Sequence, residues 1–237
     1  MRYDSMIEGV FLERPNRFLA RVRVGDEPVM AHVKNTGRCR ELLIPGVCVY
    51  LQKHNDPKRK TAYSLIAVKK GEQIVNMDSQ APNMVVWEYL KGGHGLPWEI
   101  QQLKREQKYR DSRFDLYFET AGAVDDGCRR AGFIEVKGVT LEDDGIARFP
   151  DAPTVRGLKH VYELVQAVDE GYCAAIIFVI QMSGIRYFTP NIAAQPEFLE
   201  ALKEARAHGV LIKAYECHVT MDSLEITKEV PVVLNFA

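Results

Sequence analysis

Two stretches of the sequence decide its fold: Ser112-Arg113-Phe114-Asp115-Leu116-Tyr117-Phe118-Glu119 and Gly132-Phe133-Ile134-Glu135-Val136-Lys137-Gly138. Both alternate in character, as half-buried β-strands do. In the second stretch a period of two places Glu135 and Lys137 on one face and turns Ile134 and Val136 towards a core. We therefore expect two neighbouring strands that bring Asp115, Glu135 and Lys137 together.

The chemistry of these three side chains indicates a metal site. Charged groups on a half-buried strand are costly unless they have partners. Carboxylates on adjacent strands are ligands for hard cations such as Mg²⁺ or Mn²⁺, whose remaining positions take water and substrate phosphate oxygens. We assign Asp115 and Glu135 as metal ligands and Lys137 as the group that holds or polarises the attacking water. The implied reaction is phosphodiester hydrolysis, and an ordinary cross-strand ion pair is the alternative.

Composition and length limit the classes of protein to consider. A chain of 237 residues holds one large domain or two small ones. No apolar run approaches the roughly 18–20 residues of a membrane span, and the N-terminus lacks signal-peptide features, so we expect a cytoplasmic protein without a membrane partner. The scattered cysteines contain no CxxC pair, which argues against disulfides and structural zinc. They are Cys39, Cys48, Cys128, Cys173 and Cys217.

The first third of the chain reads as a basic barrel. Residues 1–80 hold 14 Lys and Arg against 9 Asp and Glu, whereas residues 81–237 hold 17 against 23, which fits a nucleic-acid grip beside a metal site. Short strands between turn residues predict a Greek-key barrel of the OB type. The candidates are Ile7–Glu13, Phe18–Val24, Val29–Lys34, Val47–Gln52, Tyr63–Lys69 and Gln73–Met77. Candidate nucleic-acid contacts are Arg38 and the run Lys58, Arg59 and Lys60, which a solvated loop explains equally well.

The remaining chain predicts an α/β sandwich, in the order helix, strands, helix, strand, strand, helix, strand. Residues 79–103 join the halves as a hinge or a packed loop, with a helix over Met84–Leu90 and a helical turn over Trp98–Leu103. Glu106, on the strand that follows, is a candidate third metal ligand or a surface glutamate. Cys173–Gln181 reads as a central strand, and Gln181 at its end either contacts the metal-bound water or substrate, or caps the strand.

A helix from Thr154 to Glu170 follows the two catalytic strands. Thr154 is its predicted N-cap and Gly171 its stop. The expected core stripe comprises Val155, Leu158, Val161, Tyr162, Val165 and Val168. Three cationic residues fall on the other side of the helix, where they form a phosphate pocket or a merely exposed polar face. They are Arg156, Lys159 and His160.

Several stretches resemble one family. His32–Gly46, Arg59–Thr61, Ser112–Asp115, Glu135–Leu141, Phe149–Thr154 and Arg156–His160 are similar, in order along the chain, to the SfsA family of sugar fermentation stimulation proteins. Asp115 followed by Glu135-Val136-Lys137 also resembles the PD-(D/E)xK nuclease superfamily, without its leading proline. The resemblance implies an OB-like barrel over residues 1–80 and a PD-(D/E)xK restriction-endonuclease-like α/β domain over residues 81–237. It also implies DNA binding and a link to sugar (maltose) metabolism.

Three functions follow from these observations. The first is a Mg²⁺- or Mn²⁺-dependent nuclease that uses Asp115, Glu135 and Lys137, with DNA as the favoured nucleic-acid partner. Accessory candidates are Glu106, Arg113, Thr154 and Gln181. The second is a non-catalytic DNA-binding regulator of sugar (maltose) metabolism genes, and the third is a structural interaction protein.

Overall fold

The computed structural model describes residues 1–35, 37–121 and 130–235. Its first part is a sheet of six strands in the order β3-β2-β1-β4-β5-β6. They are β1 (Met6–Asn16), β2 (Leu19–Val24), β3 (Glu27–Val33), β4 (Cys48–Lys53), β5 (Tyr63–Lys70) and β6 (Gln73–Asn76). Because β3 also pairs with β5, strands β1 to β5 close into a barrel, which confirms the OB-type prediction. Alternating side chains such as Val49, Leu51 and Val68 fill its interior.

The second part is built on a six-stranded sheet in the order β15-β14-β12-β9-β8-β7. Strands β9, β12 and β14 run parallel, and the remaining pairs are antiparallel. A smaller sheet of β10, β11 and β13 packs beside it. The elements are α1 (Ala81–Lys91), β7 (Ile100–Tyr109), β8 (Ser112–Thr120), β9 (Ala131–Val139), β10 (Leu141–Asp143), β11 (Ile146–Phe149), α2 (Val155–Asp169), β12 (Cys173–Ile180), β13 (Tyr187–Pro190), α3 (Pro196–Ala207), β14 (Leu211–Val219) and β15 (Leu224–Glu229).

Helices cover both faces of this larger sheet. Val85 and Val86 of α1 pack with Ile134 and Val136 of β9 on one face. On the other face the buried residues of α2 and α3 pack against Ile176 and its neighbours. The central strand β12 is buried along its whole length, as its apolar run predicts. This three-layer arrangement confirms the α/β prediction for the second half of the chain.

Two local predictions are wrong. Trp98–Leu103 is not a helical turn, because β7 begins at Ile100 and pairs with β8 along its length; tertiary pairing overrides the local preferences of this polar segment. The predicted core stripe of α2 is right for Val161 and Val165, which are buried, but wrong for Val155 and Tyr162, which are 84% and 41% exposed. The buried face also includes Gly157 and Leu164, and it carries His160 and Glu163 into the interior.

The two parts are firmly joined. Lys34 on the barrel forms an ion pair of 2.7 Å with Asp78, which is itself 2% exposed. Gln181 at the end of β12 donates to Asn76 Oδ1 (2.9 Å) and to the Asp78 carbonyl (3.1 Å). The glycine-rich segment after α1 is a packed loop, because Tyr215 donates a hydrogen bond to the Gly95 carbonyl (2.5 Å). The boundary at residue 80 stays a prediction.

Two further predictions concern cysteines and membranes. Within the described residues no disulfide joins Cys39, Cys48, Cys173 or Cys217, and Cys128 lies outside those residues. Within the described ranges, no α-helix has the length and apolar character that crossing a membrane requires.

Candidate functional site

Asp115 lies at the point where β8 separates from β9. The pairing between the two strands ends at Leu116 and Ile134. Beyond it the backbone N–H of Val136 donates to Asp115 Oδ2 (2.8 Å) instead of to a carbonyl of β8. Asn83, in the first turn of α1, donates to Asp115 Oδ1 (2.7 Å). One strand and one helix therefore fix the orientation of this carboxylate.

Glu135 is the most enclosed charge of the site. Its residue is 2% exposed, and its Oε1 accepts from Lys137 Nζ (2.5 Å) and pairs with Nδ1 of His160. Its Oε2 is buried and has no hydrogen-bond partner among the described residues. An unpaired buried carboxylate oxygen is costly, so this atom needs a positive or hydrogen-bonding partner that the described part of the chain does not supply.

The two carboxylates influence each other electrostatically. Burial, followed by the negative charge of Glu135, raises the pKa of Asp115 to about 6; hydrogen bonds from Val136 and Asn83 and the charge of Lys137 offset part of this. Burial also raises the pKa of Glu135, but the hydrogen bond of His160 and the charge of Lys137 outweigh it, and the net shift is downward. The site thus pairs a firmly ionised carboxylate with one that resists ionisation.

These residues fit a hard divalent cation. The free oxygen of Glu135 and the repulsion between two carboxylates would both be relieved by a positive ion held between them. In the described ranges, no group of three or more His, Cys, Asp or Glu side chains is placed to hold a metal. The other ligands would therefore be waters, carbonyls or substrate oxygens, which is the usual pattern for Mg²⁺.

His160 is placed differently from its prediction. It is 4% exposed and bonded to Glu135, not part of an exposed cationic face. Its burial is tolerated because the carboxylate supplies a partner for the ring. Arg156 Nε donates to Nε2 of the ring (3.4 Å), so we assign the ring hydrogen that Glu135 accepts to Nδ1. His160 therefore orients Glu135.

A basic pocket of about 390 Å³ lies beside His160. Arg156 and Lys159 are exposed at its wall, in agreement with their predicted place outside the core. The accessory candidate Arg113 also lines it, together with Lys108 and Ser112, which were not predicted. His160 lines this pocket and bonds to Glu135, so the pocket adjoins the buried carboxylate.

The other accessory candidates lie apart from the two carboxylates. Glu106 is exposed and pairs with Arg113 (3.0 Å), so it is the surface glutamate and not a third ligand. Thr154 is the N-cap of α2, as predicted, and its Oγ1 accepts from Gly157 N (2.9 Å). The amide nitrogen of Gln181, Nε2, donates to Asn76 and Asp78, and these two hydrogen bonds link the barrel to the sheet.

The cationic candidates of the barrel fall into two separate places. Arg38 lines a cavity of about 340 Å³ with Arg14, Arg17 and Arg40. Lys58, Arg59 and Lys60 lie on the exposed connection between β4 and β5, and none of them lines that cavity. Of the three side chains, that of Arg59 is anchored by a hydrogen bond of 3.0 Å to Ser64 Oγ.

Sequence reasoning missed two contacts of the site. Asn83 gives no local signal, because an asparagine in the first turn of a helix is common and its partner is distant along the chain. The inward turn of His160 was hidden by Val155 and Tyr162, which suggested a different buried face. The burial of a polar residue cannot be predicted from the periodicity of its own helix, since it depends on a partner that another element supplies.

Comparison with known proteins agrees with this description. Family models for the SfsA N-terminal OB domain and the sugar fermentation stimulation protein RE domain match residues 12–77 and 80–223. A sugar fermentation stimulation protein homolog of Desulfitobacterium hafniense is 53% identical over 225 residues, with 95% of each chain covered. One from Ruminiclostridium cellulolyticum is 51% identical over 234 residues, covering 99% of this chain and all of the other.

A solved structure extends the similarity to the whole fold. The structure of Pyrococcus furiosus SfsA in complex with Ca²⁺ is similar with a TM-score of 0.82, at 29% identity and 98% coverage of both chains. The chain therefore belongs to the sugar fermentation stimulation protein family, with an OB domain followed by a restriction-endonuclease-like domain.

Proposed function

We propose that this protein is a divalent-metal-dependent nuclease that binds and hydrolyses DNA. The observation that carries the proposal is the buried, unpaired Oε2 of Glu135 beside the carboxylate of Asp115, whose pKa is raised. Perturbed, buried acids that adjoin a cationic pocket are typical of catalytic sites. The restriction-endonuclease-like domain supports the same class of chemistry.

Asp115 and Glu135 would hold Mg²⁺ or Mn²⁺. The Ca²⁺ bound by the Pyrococcus furiosus relative supports a divalent cation in this family. A bound Mg²⁺ or Mn²⁺ would acidify a water molecule and neutralise charge that develops on the phosphate. Asn83 and the Val136 N–H keep Asp115 turned towards Glu135, and His160 fixes Glu135 from the side of α2.

Lys137 is the cationic catalytic group in this proposal. Its Nζ lies 2.5 Å from Glu135 Oε1, and its side chain is 14% exposed, so it contacts the buried carboxylate and also reaches solvent. From this position it would hold the attacking water and offset the negative charge of the phosphate.

The cationic pocket and the barrel would supply the side chains that bind DNA. Arg113, Arg156 and Lys159 would contact phosphates next to the scissile bond. Arg38 and the exposed run Lys58, Arg59 and Lys60 would hold the nucleic acid farther away. In this division residues 1–80 bind the distant part of the nucleic acid, and residues 81–237 bind the phosphates near the scissile bond and cleave it.

The direct test is cleavage of labelled single-stranded, duplex and forked DNA and RNA, with Mg²⁺, Mn²⁺ or EDTA. Asp115→Ala and Lys137→Ala should abolish cleavage and leave DNA binding near normal. Glu106→Gln is the matched control, because that acid lies on the neighbouring strand and is exposed. Cleavage that persists in Asp115→Ala would reject the assignment.

A second candidate function is DNA binding without cleavage, as a regulator of sugar metabolism genes. One observation favours it: Lys137 and His160 both pair with Glu135 Oε1, so the carboxylate already has cationic or polar partners without a metal. In that case the protein would bind DNA in a salt-sensitive manner. Mg²⁺ and Mn²⁺ would have no effect, and the three variants above would bind alike.

A further inference from the structure

A small pocket lies between the barrel and the second domain, beside the catalytic strand. Its volume is about 190 Å³. The barrel contributes Asn35 and Gly37 from the loop after β3, and the second domain contributes Gly138, Arg148 and Asp151 among others. Gly138 directly follows Lys137 in β9, so the pocket begins one Cα step, about 3.8 Å, along the backbone from the proposed catalytic lysine, with the two positions facing opposite sides of the strand.

The polar groups of this pocket are of mixed type. Asn35 Oδ1 accepts from Gly37 N (2.8 Å), so the amide NH₂ group of Asn35 remains available as a donor. The amide nitrogen of Gln181 donates to Asn76 and Asp78, so the side-chain carbonyl oxygen of Gln181 remains available as an acceptor. Arg148 adds a half-buried guanidinium that has no ion pair or hydrogen bond within the described ranges, and Asp151 adds a carboxylate.

This mixture indicates what the pocket would bind. A bare phosphate or other anion requires donors alone and would be repelled by Asp151. A metal ion requires acceptors alone and would be repelled by Arg148. Donors and acceptors side by side match the edge of a nucleobase, which carries both. The volume lies below the roughly 300–1,000 Å³ of pockets for drug-sized ligands, so only one small ring system enters.

Two glycines keep the pocket open. A Cβ on Gly138 would lie 2.6 Å from Gln181 Oε1 and 2.9 Å from Pro82 Cγ. A Cβ on Gly37 would lie 2.7 Å from Asp151 Oδ2 and 2.9 Å from Asn35 Oδ1. The polar oxygens thus lie directly against bare backbone, and any larger residue would displace them into the space between the domains.

We propose that this pocket binds one unpaired nucleobase, on the nucleotide next to the bond that is cut. The inference rests on the proposed nuclease function and names its substrate class. A paired base cannot enter, because its hydrogen-bonding edge is occupied by its partner strand. The site therefore acts on single-stranded DNA, or on a duplex at a nucleotide that is unpaired or flipped out.

The test measures binding of single-stranded oligonucleotides without metal, so that its readout does not depend on cleavage. One fluorescent base, 2-aminopurine, is moved along the strand position by position, and a second series carries one abasic site instead. We expect fluorescence to change at one position only. An abasic site there should lower affinity about tenfold, the order of one good base contact.

Variants assign the effect to the pocket. Arg148→Ala and Asp151→Asn should each weaken binding of the intact strand but not of the strand that is abasic at that position, because both changes act on the same base. Arg186→Ala is the matched control: this arginine is exposed and pairs with Asp144 on the β10–β11 turn, outside the pocket. Asp151→Asn changes an exposed residue, so it keeps the test valid if Arg148→Ala does not fold.

The two proposals fail separately. Equal losses of affinity on intact and abasic strands, or tighter binding of blunt duplex than of single strand, would overturn the base pocket. If Asp115→Ala also abolishes cleavage in that case, the nuclease function stands without the pocket. If no substrate is cut but the abasic site and Arg148→Ala weaken binding through the same position, the pocket stands and catalysis fails.

Discussion

The charges around Glu135 and those of the β4–β5 connection are similar residue types in opposite environments. The Glu135 side chain is 3% exposed and contacts Lys137 and His160. Lys58 and Lys60 are exposed and have no ion pair within the described part of the chain. A buried charge depends on every partner, and removing one leaves the other uncompensated. An exposed charge adds only a screened attraction to whatever approaches.

The largest expected effect separates two glutamates that were both candidate metal ligands. Glu135→Gln should lower the cleavage rate about 10²- to 10³-fold, because it removes charge from the enclosed site where electrostatic stabilisation is strongest. Glu106→Gln should change the rate less than about twofold, since that side chain is exposed and pairs only with Arg113. Single-turnover kinetics measure both. Similar rate reductions in the two variants would mean that burial does not distinguish them.

Metal binding should raise the Tm of the protein through the buried site, and a substitution in the β4–β5 connection should not change that rise. At 100 times its Kd, a cation adds about 2.7 kcal/mol to the free energy of unfolding, or about 5–10 °C in Tm for a chain of this size. Mg²⁺ or Mn²⁺ should raise the Tm of the wild type by this amount, and of Lys58→Ala equally. Thermal unfolding of Asp115→Ala should show no such rise; a rise of the same size there would place the cation elsewhere.

The same stabilisation should depend on pH in a defined direction. The metal binds ionised Asp115, and the pKa of this group is raised to about 6 by burial and then by Glu135. Below that pH a proton competes with the metal, so affinity falls up to about tenfold for each further unit. Thermal scans from about pH 5 to 8 should show the metal-induced rise in Tm growing with pH through about 6 and then levelling. A rise independent of pH would exclude Asp115 as a ligand.

A smaller effect is expected at the partner of Glu135. His160→Ala should weaken metal binding about 10- to 100-fold, as removal of a residue that orients a ligand does. His160→Asn should retain most of the affinity, because an amide nitrogen can replace Nδ1 as the donor. Calorimetric titration with Mn²⁺ measures both, with His208→Ala as the control, because that histidine is exposed and pairs with Asp169. Equal reductions in affinity for His160→Ala and His160→Asn would make the role of the ring steric.

The smallest effect belongs to the exposed loop. Lys58→Ala and Lys60→Ala should each weaken DNA binding a few-fold and reduce the slope of log K against log salt by about 0.7 to 0.9 for each phosphate that is no longer neutralised. The cleavage rate of the bound complex should not change. Fluorescence anisotropy at several salt concentrations measures the slope, and an unchanged slope would show that the loop is only solvated.

Features of the site that depend on neighbouring residues could be predicted from the sequence, and contacts between residues far apart in the chain could not. The alternation in β8 and β9 placed Asp115, Glu135 and Lys137 correctly relative to the core, because a period of two is a local property. The barrel and the central strand β12 were predictable for the same reason. Asn83 and His160 were not, since their roles depend on carboxylates 32 and 25 residues away. Polar pairing between distant elements leaves no period in the sequence.

The joint between the two domains illustrates the same limit. Asn76 lies within a predicted strand and Gln181 at the end of another, and neither position predicts which residue of the other domain it meets. In the structure Lys34 and Gln181 meet the segment after β6 in a buried polar network. The pocket next to Gly138 exists only because both domains contribute to it, so neither half of the sequence could have predicted it alone.

The most direct measurement is anomalous diffraction from crystals of the protein grown with Mn²⁺. We expect one strong peak between Asp115 and Glu135, in contact with Glu135 Oε2, the buried oxygen that has no partner in the described part of the chain. The peak should disappear in crystals of Asp115→Ala. A fully occupied Mn²⁺ peak elsewhere, with Glu135 still held only by Lys137 and His160, would contradict the metal-dependent nuclease.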